Sequence, residues 1–185
     1  METRECIKTR RSIRRFTERP VSAEMIRELL EAVRWSPSWA NTQCWEVIVI
    51  QDAQLKAELT SSLSETNPAY KGILQAPAVF VLCARTGRAG IKQGGFSTSL
   101  GDWYMFDGGI AAQNLCLAAH DMGLGSVHVG SFDHQKVDRL LKLPDDVRSL
   151  EIIPVGWPEK TGNPPPRRAV GEFAHRDSFG QPYND

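Results

Sequence analysis

Behind Ser22, the apolar residues Met25, Ile26, Leu29, Leu30 and Val33 recur at helical spacing. The pattern predicts a helix over 23–35 capped by the Ser22 hydroxyl. Ser36 and Pro37 end it, because a residue before proline is driven out of helical backbone angles. After a polar loop, Val47, Ile48, Val49 and Ile50 form a short β-branched run that reads as a strand buried on both faces. Asp52 caps a second helix through Leu55, Leu59 and Leu63, and 78–84 repeats the buried-strand pattern.

Over 85–103 glycines and hydroxyl residues interleave with Phe96 and Trp103, which reads as a mobile, pocket-forming loop or lid. The longest helical segment, 104–122, is closed by Gly123. Its Gly108, Gly109, Ala111, Ala112, Ala118 and Ala119 leave it smooth enough for close approach by another helix. A short strand over 127–129, a helix capped by Asp133, and a strand over 150–155 complete the pattern. No repeat or linker divides the chain, so 1–185 is expected to be one mixed α and β domain, with 159–185 as an extended C-terminal tail.

The 185 residues are 41% hydrophobic, enough for one sizeable core, which excludes disorder and coiled coil. With 22 basic against 22 acidic residues there is no overall field to attract nucleic acid or an anionic membrane. Cys6, Cys44, Cys83 and Cys116 form no CxxC pair and read as separate thiols in a reducing compartment. Nothing apolar reaches the roughly 18 to 20 residues of a membrane span, so a cytoplasmic protein is expected. Phosphate-loop, HExxH and GxSxG signatures are missing, no metal site is expected, and the glycines of 123–130 miss the GxGxxG pattern of a dinucleotide turn.

Arg10, Arg11, Ser12, Arg14 and Arg15 offer the guanidinium forks and hydroxyl that suit a phosphate monoester. Taken alone, the cluster reads first as a solvated basic face, next as a site for a small phosphate and last as a nucleic-acid contact, which the zero net charge disfavours. The loop 36–45 sets small hydroxyls, Asn41, Gln43 and two tryptophans between a helix and a strand. It suits a planar, polyfunctional ligand or a capped turn. His128 is a pocket residue or, in the blander reading, a neutral structural histidine.

Together these segments resemble the flavin-dependent nitroreductase family along nearly the whole chain. Arg10-Arg11-Ser12-Ile13-Arg14-Arg15-Phe16 is similar to the family's opening motif, and the stretch from Trp35 to Trp45 resembles its Pro-Ser, Asn and Gln loop. The run 112–119 with Gly123 and Gly125 looks like its central helix, 129–132 and 153–158 like its two later strands, and Pro166-Arg167 like its closing basic motif. Cys44 stands where the family usually has proline, and Ala169 replaces a proline common after the closing arginine.

The resemblance implies an α+β fold with a mostly antiparallel central sheet flanked by helices, and an intertwined homodimer with FMN at the subunit interface. Carried over, Arg10, Arg11, Ser12, Arg14 and Arg167 would hold the FMN phosphate, ribityl chain and pyrimidine edge. Pro37, Ser38, Trp39, Asn41 and Gln43 would come from the partner subunit to the isoalloxazine. Val129, Gly130 and Ser131 would present backbone to the ring. The implied activity is NAD(P)H-dependent, ping-pong reduction of nitroaromatic, quinone or related small electron-poor acceptors, with no side chain named as catalytic. A non-catalytic flavin-binding or FMN-delivery protein would carry the same motifs, whereas a nucleic-acid-binding protein using Arg10 to Arg15 would leave the later motifs unexplained.

Overall fold

The computed structural model describes residues 1–183. Its helices are α1 (Thr3–Thr9), α2 (Ala23–Arg34), α3 (Ala53–Thr60), α4 (Tyr70–Gln75), α5 (Tyr104–Asp121) and α6 (His134–Leu140). Its strands are β1 (Trp45–Ile50), β2 (Ala78–Arg85), β3 (Ile91–Lys92), β4 (Gly95–Phe96), β5 (Gly125–Ser126) and β6 (Val147–Gly156). The main sheet has the order β1-β2-β6-β5 with every pairing antiparallel.

The caps form as their chemistry requires. Ser22, Asp52 and Asp133 each accept the backbone N–H three residues on, from Met25, Leu55 and Lys136. On the central strand β2 alternation divides the run between two cores. Val79, Val81 and Cys83 face the layer holding Leu59, Ile73 and Val137 of α3, α4 and α6. Ala78, Phe80 and Leu82 face Leu29 and Val33 of α2 and Leu115 of α5. Burying each of the larger side chains contributes about 1.5 to 3 kcal/mol.

Four sequence expectations change. Strand β1 is only half-buried through Trp45, Val47, Ile48 and Val49, because it is a sheet edge with β2 as its sole neighbour. The strand expected at 127–129 is displaced to Gly125–Ser126, and Val129 makes a single bridge to Ile152. The segment 85–103 is not featureless: it carries the β3–β4 hairpin, turned by Gln93 and Gly94 at positive φ. Trp103 pins its end, with Nε1 donating to Thr98 Oγ1 at 2.9 Å and the backbone N–H to Ala89 O at 3.0 Å. On α5, Gly108 admits Leu150, whose Cδ1 would clash with an added Cβ, and Ala111, Ala112 and Ala119 are buried within this chain. Gly109 alone among the small residues of that face is exposed with open space around it.

Candidate functional site

Residues 10–16 run extended from the end of α1 through a groove between β5 and α4. Ile13 N donates to Ser126 O at 2.8 Å, Ser12 bridges Ser126, and Phe16 bridges Pro158. Two glycines make the groove. A Cβ on Gly125 would come within 2.7 Å of Ile13 Cβ, and one on Gly72 within 2.7 Å of the Arg14 carbonyl oxygen. With Ile13 and Phe16 buried as anchors, Ser12, Arg14 and Arg15 are left exposed.

The arginines are not equivalent. Arg11 Nη1 donates to Lys8 O and Arg10 O, both at 2.7 Å, and Arg14 Nη1 reaches Ser12 O at 3.5 Å. Arg10 Nη1 is buried without an acceptor. A cationic donor stripped of water and left unpaired is costly, and an anion supplies what it lacks. The local field is positive: His120, whose Nε2 lies 2.8 Å from Thr9 Oγ1, is held below its usual range by burial and then by Arg10 and Arg11.

Arg14 lines a cleft of about 210 Å³ together with Val129, Gly130, Ser131 and His128. Asn67 closes one side by donating to Ser131 O at 3.2 Å. Among the described residues neither the Gly130 nor the Ser131 N–H has a backbone acceptor, and a Cβ on Gly130 would meet only open space. A second cleft, of about 340 Å³, shares Arg14 and Asn67 and adds Arg15, Tyr70, Lys71 and Glu65. Asn67 and Lys71 were missed in sequence because α4 is too short to announce itself, although a basic residue just after an Asn-Pro turn was a usable signal. His128 lines the cleft wall, and its surroundings favour the charged ring over the neutral one. Hydrogen bonding with Cys116 and then with Glu151 pushes its imidazole up to about 10.

The loop 36–43 is built at the other end of α5. Ser36 is buried and its Oγ accepts from Asn114 at 2.9 Å. Ser38 Oγ accepts the Gln43 N–H at 2.9 Å, and Asn41 Oδ1 accepts from Gln43 Nε2 at 3.3 Å. Both carboxylate oxygens of Asp107 accept the Trp39 N–H. Ala40, Asn41 and Gln43 all take positive φ, of 45°, 56° and 48°. Asn41 tolerates such an angle, whereas Ala40 and Gln43 are strained there and keep it only where their surroundings hold them. Pro37, Asn41 and Gln43 line a cleft of about 370 Å³ with Arg34, Trp35 and Ser36, and Pro37, Ser38 and Trp39 line an apolar one of about 300 Å³ with Trp103 and Phe106. Cys44 is fully buried, and burial followed by the nearby Asp107 charge pushes its thiol up to about 12, so it packs rather than reacts.

The structure therefore gathers the expected residues into two separate clusters. Asp107 fixes the loop at one end of α5 and Thr9 meets His120 at the other. Thirteen residues of helix separate them, about 20 Å. Arg167 lies in the exposed stretch after the sheet, and the neighbouring Arg168 stacks 5.6 Å from the Phe173 ring. Among the described residues no helix is long and apolar enough to cross a membrane.

Residues 7–75 and 61–157 match the model of the Nitroreductase family, and the chain belongs to that family. Its fold is shared with a nitroreductase family protein from Clostridium novyi NT, at a TM-score of 0.79 and 26% identity over 99% of this chain and 97% of that one. Among relatives, an FMN reductase (NAD(P)H) of Bacillus subtilis is 31% identical over 184 residues, 91% of this chain and 71% of the relative. An oxygen-insensitive NADPH nitroreductase of Salmonella typhimurium is 29% identical over 95% of this chain and 73% of its own length.

Proposed function

We propose that the protein is an FMN-dependent oxidoreductase that draws hydride from NAD(P)H and reduces nitroaromatic, quinone or related electron-poor acceptors by a ping-pong route. Membership of the family and the relatives' names support NAD(P)H-dependent oxidoreduction. The observation that carries the flavin assignment is the buried Arg10 Nη1, without an acceptor among the described residues, on the same extended segment as the cleft-lining Arg14 and Arg15.

In this reading Arg10, Arg11, Ser12, Arg14 and Arg167 hold the phosphate, ribityl and pyrimidine portions of FMN, joined by Asn67 and Lys71 from the cleft wall. Gly130 and Ser131 offer their N–H groups to the ring edge, with Val129 anchoring them to the sheet. Bound there, FMN supplies the hydride acceptance and return that no side chain of this chain can perform. The cations favour an electron-rich cofactor, and no protein acid or base is required.

The two clusters, about 20 Å apart along α5, support a homodimer in which Pro37, Ser38, Trp39, Asn41 and Gln43 of one copy complete the cleft of the other. The whole chain then works as one FMN-binding domain, with 159–183 reaching across the partner; residues 184 and 185 of the expected tail lie outside the described residues. The four unpaired thiols support a cytoplasmic setting. The test is an anaerobic visible spectrum of FMN-reconstituted protein before and after NADH, then NADPH. Bleaching by either nucleotide supports the reading and names the donor. Bound flavin that stays oxidised favours an FMN carrier, and no flavin binding overturns the assignment.

A further inference from the structure

His128 stands in the wall of the Arg14–Gly130 cleft. Its neighbours Val127 and Val129 pack into the core shared with α3, α4 and α6, while its own ring meets α5 and β6. Nδ1 lies 2.8 Å from Glu151 Oε2 and Nε2 lies 3.3 Å from Gln113 Oε1. The Glu151 carboxylate accepts from Nδ1–H, and with Gln113 presenting its amide oxygen Nε2 carries the second proton of an imidazolium. The side chains of His128 and Glu151 are 30% and 26% exposed, sheltered enough that water does not erase the pairing. Cys116 on α5 also faces the imidazole, and Arg14 is the other charge lining its cleft.

The pair has a mechanical context. Glu151 precedes Ile152, which exchanges both backbone hydrogen bonds with Val129 at 3.0 and 3.1 Å. The His128–Glu151 contact thus runs diagonally across the antiparallel Val129–Ile152 bridge. Immediately beyond them the chain leaves the sheet at Gly130 and Ser131. Loss of the imidazolium charge would loosen this diagonal contact and leave Glu151 uncompensated beside a residue of the cleft wall.

We propose that His128 is a positioning residue, clamped by Glu151 and Gln113, that holds the 129–131 backbone against the flavin and cancels a carboxylate that would otherwise repel an anionic cofactor. The proposal rests on the flavin reading above.

The test combines a histidine NMR titration of the apoprotein with FMN affinity and the midpoint potential of bound flavin from pH 6 to 9. Wild type is expected to keep His128 charged and FMN affinity flat across that range. In Glu151→Gln the ring titrates nearer its ordinary range, so affinity falls about tenfold between pH 6 and pH 8 and the potential moves negative. Glu151→Asp, which keeps the charge, should restore the flat profile. His128→Gln should bind FMN about tenfold more weakly at every pH, without a step. Circular dichroism identifies any variant that has merely unfolded. Variants matching wild type in affinity, potential and pH profile overturn the clamp while leaving flavin binding intact, as does a wild-type His128 that titrates near 6.5. Failure of wild type to bind FMN overturns the flavin reading itself, and the clamp with it.

Discussion

The Asp107 carboxylate accepts the Trp39 backbone N–H with both oxygens at 3.1 Å, tying α5 to a loop 68 residues earlier in the chain. Asp107 is 1% exposed, so this contact is sealed from water. Asp107→Ala should strand the N–H and lower the unfolding free energy by about 2 to 4 kcal/mol. Asp107→Asn, which keeps one acceptor, should lose less. Urea denaturation of the two variants distinguishes them, and equal stability of Asp107→Ala and wild type would show that the carboxylate does not hold the loop.

Ala40 sits at φ 45°. Glycine removes the Cβ clash at that angle, so Ala40→Gly should stabilise the folded protein by about 1 kcal/mol, less the extra entropy of glycine in the unfolded chain. A thermal midpoint raised by a few degrees is the expected reading.

Gly72 lets α4 lie against the Arg14 main chain, where an added Cβ would come within 2.7 Å of the carbonyl oxygen. Neither backbone can yield cheaply. Gly72→Ala should destabilise by about 1 to 3 kcal/mol and weaken FMN binding more than an alanine on the exposed Gly109 does, as measured by flavin fluorescence titration.

The Arg10, Arg14 double alanine variant removes the half-buried Arg10, whose Nη1 lacks an acceptor among the described residues, and the cation of the cleft. FMN affinity should fall at least tenfold, on the order of 1.5 to 3 kcal/mol per charge-assisted bond lost. Unchanged affinity would remove the phosphate assignment.

The imidazole of His128 is raised to about 10, so its charge stabilises the fold fully below the unfolded-state value near 6.5. That contribution is lost progressively as pH rises toward 10. Urea midpoints should therefore decline from pH 6 to pH 9.5 in wild type, by on the order of 2 kcal/mol, and less steeply in Glu151→Gln. Parallel declines in both proteins would assign the effect to other groups.

What could be read from the chain alone was local. Ser22, Asp52 and Asp133 cap the helices assigned to them, and β2 follows its β-branched run, because a cap or an apolar alternation depends on neighbours a few residues away. Helices α1 and α4, of seven and six residues, gave no such signal, since helices so short are held by packing rather than by propensity. The motif residues at 10–16, 36–43 and 129–131 stood out by type, yet their type could not say which of them meet. Tertiary structure decided that. Gly72 and Gly125 seat the arginine segment, Asp107 ties down the Trp39 end of a loop that takes left-handed angles with no glycine, and Cys116 and Glu151 raise the imidazole of His128. Each is a contact between residues distant in sequence, governed by excluded volume or by a buried charge, and neither quantity is defined until the chain has folded back on itself.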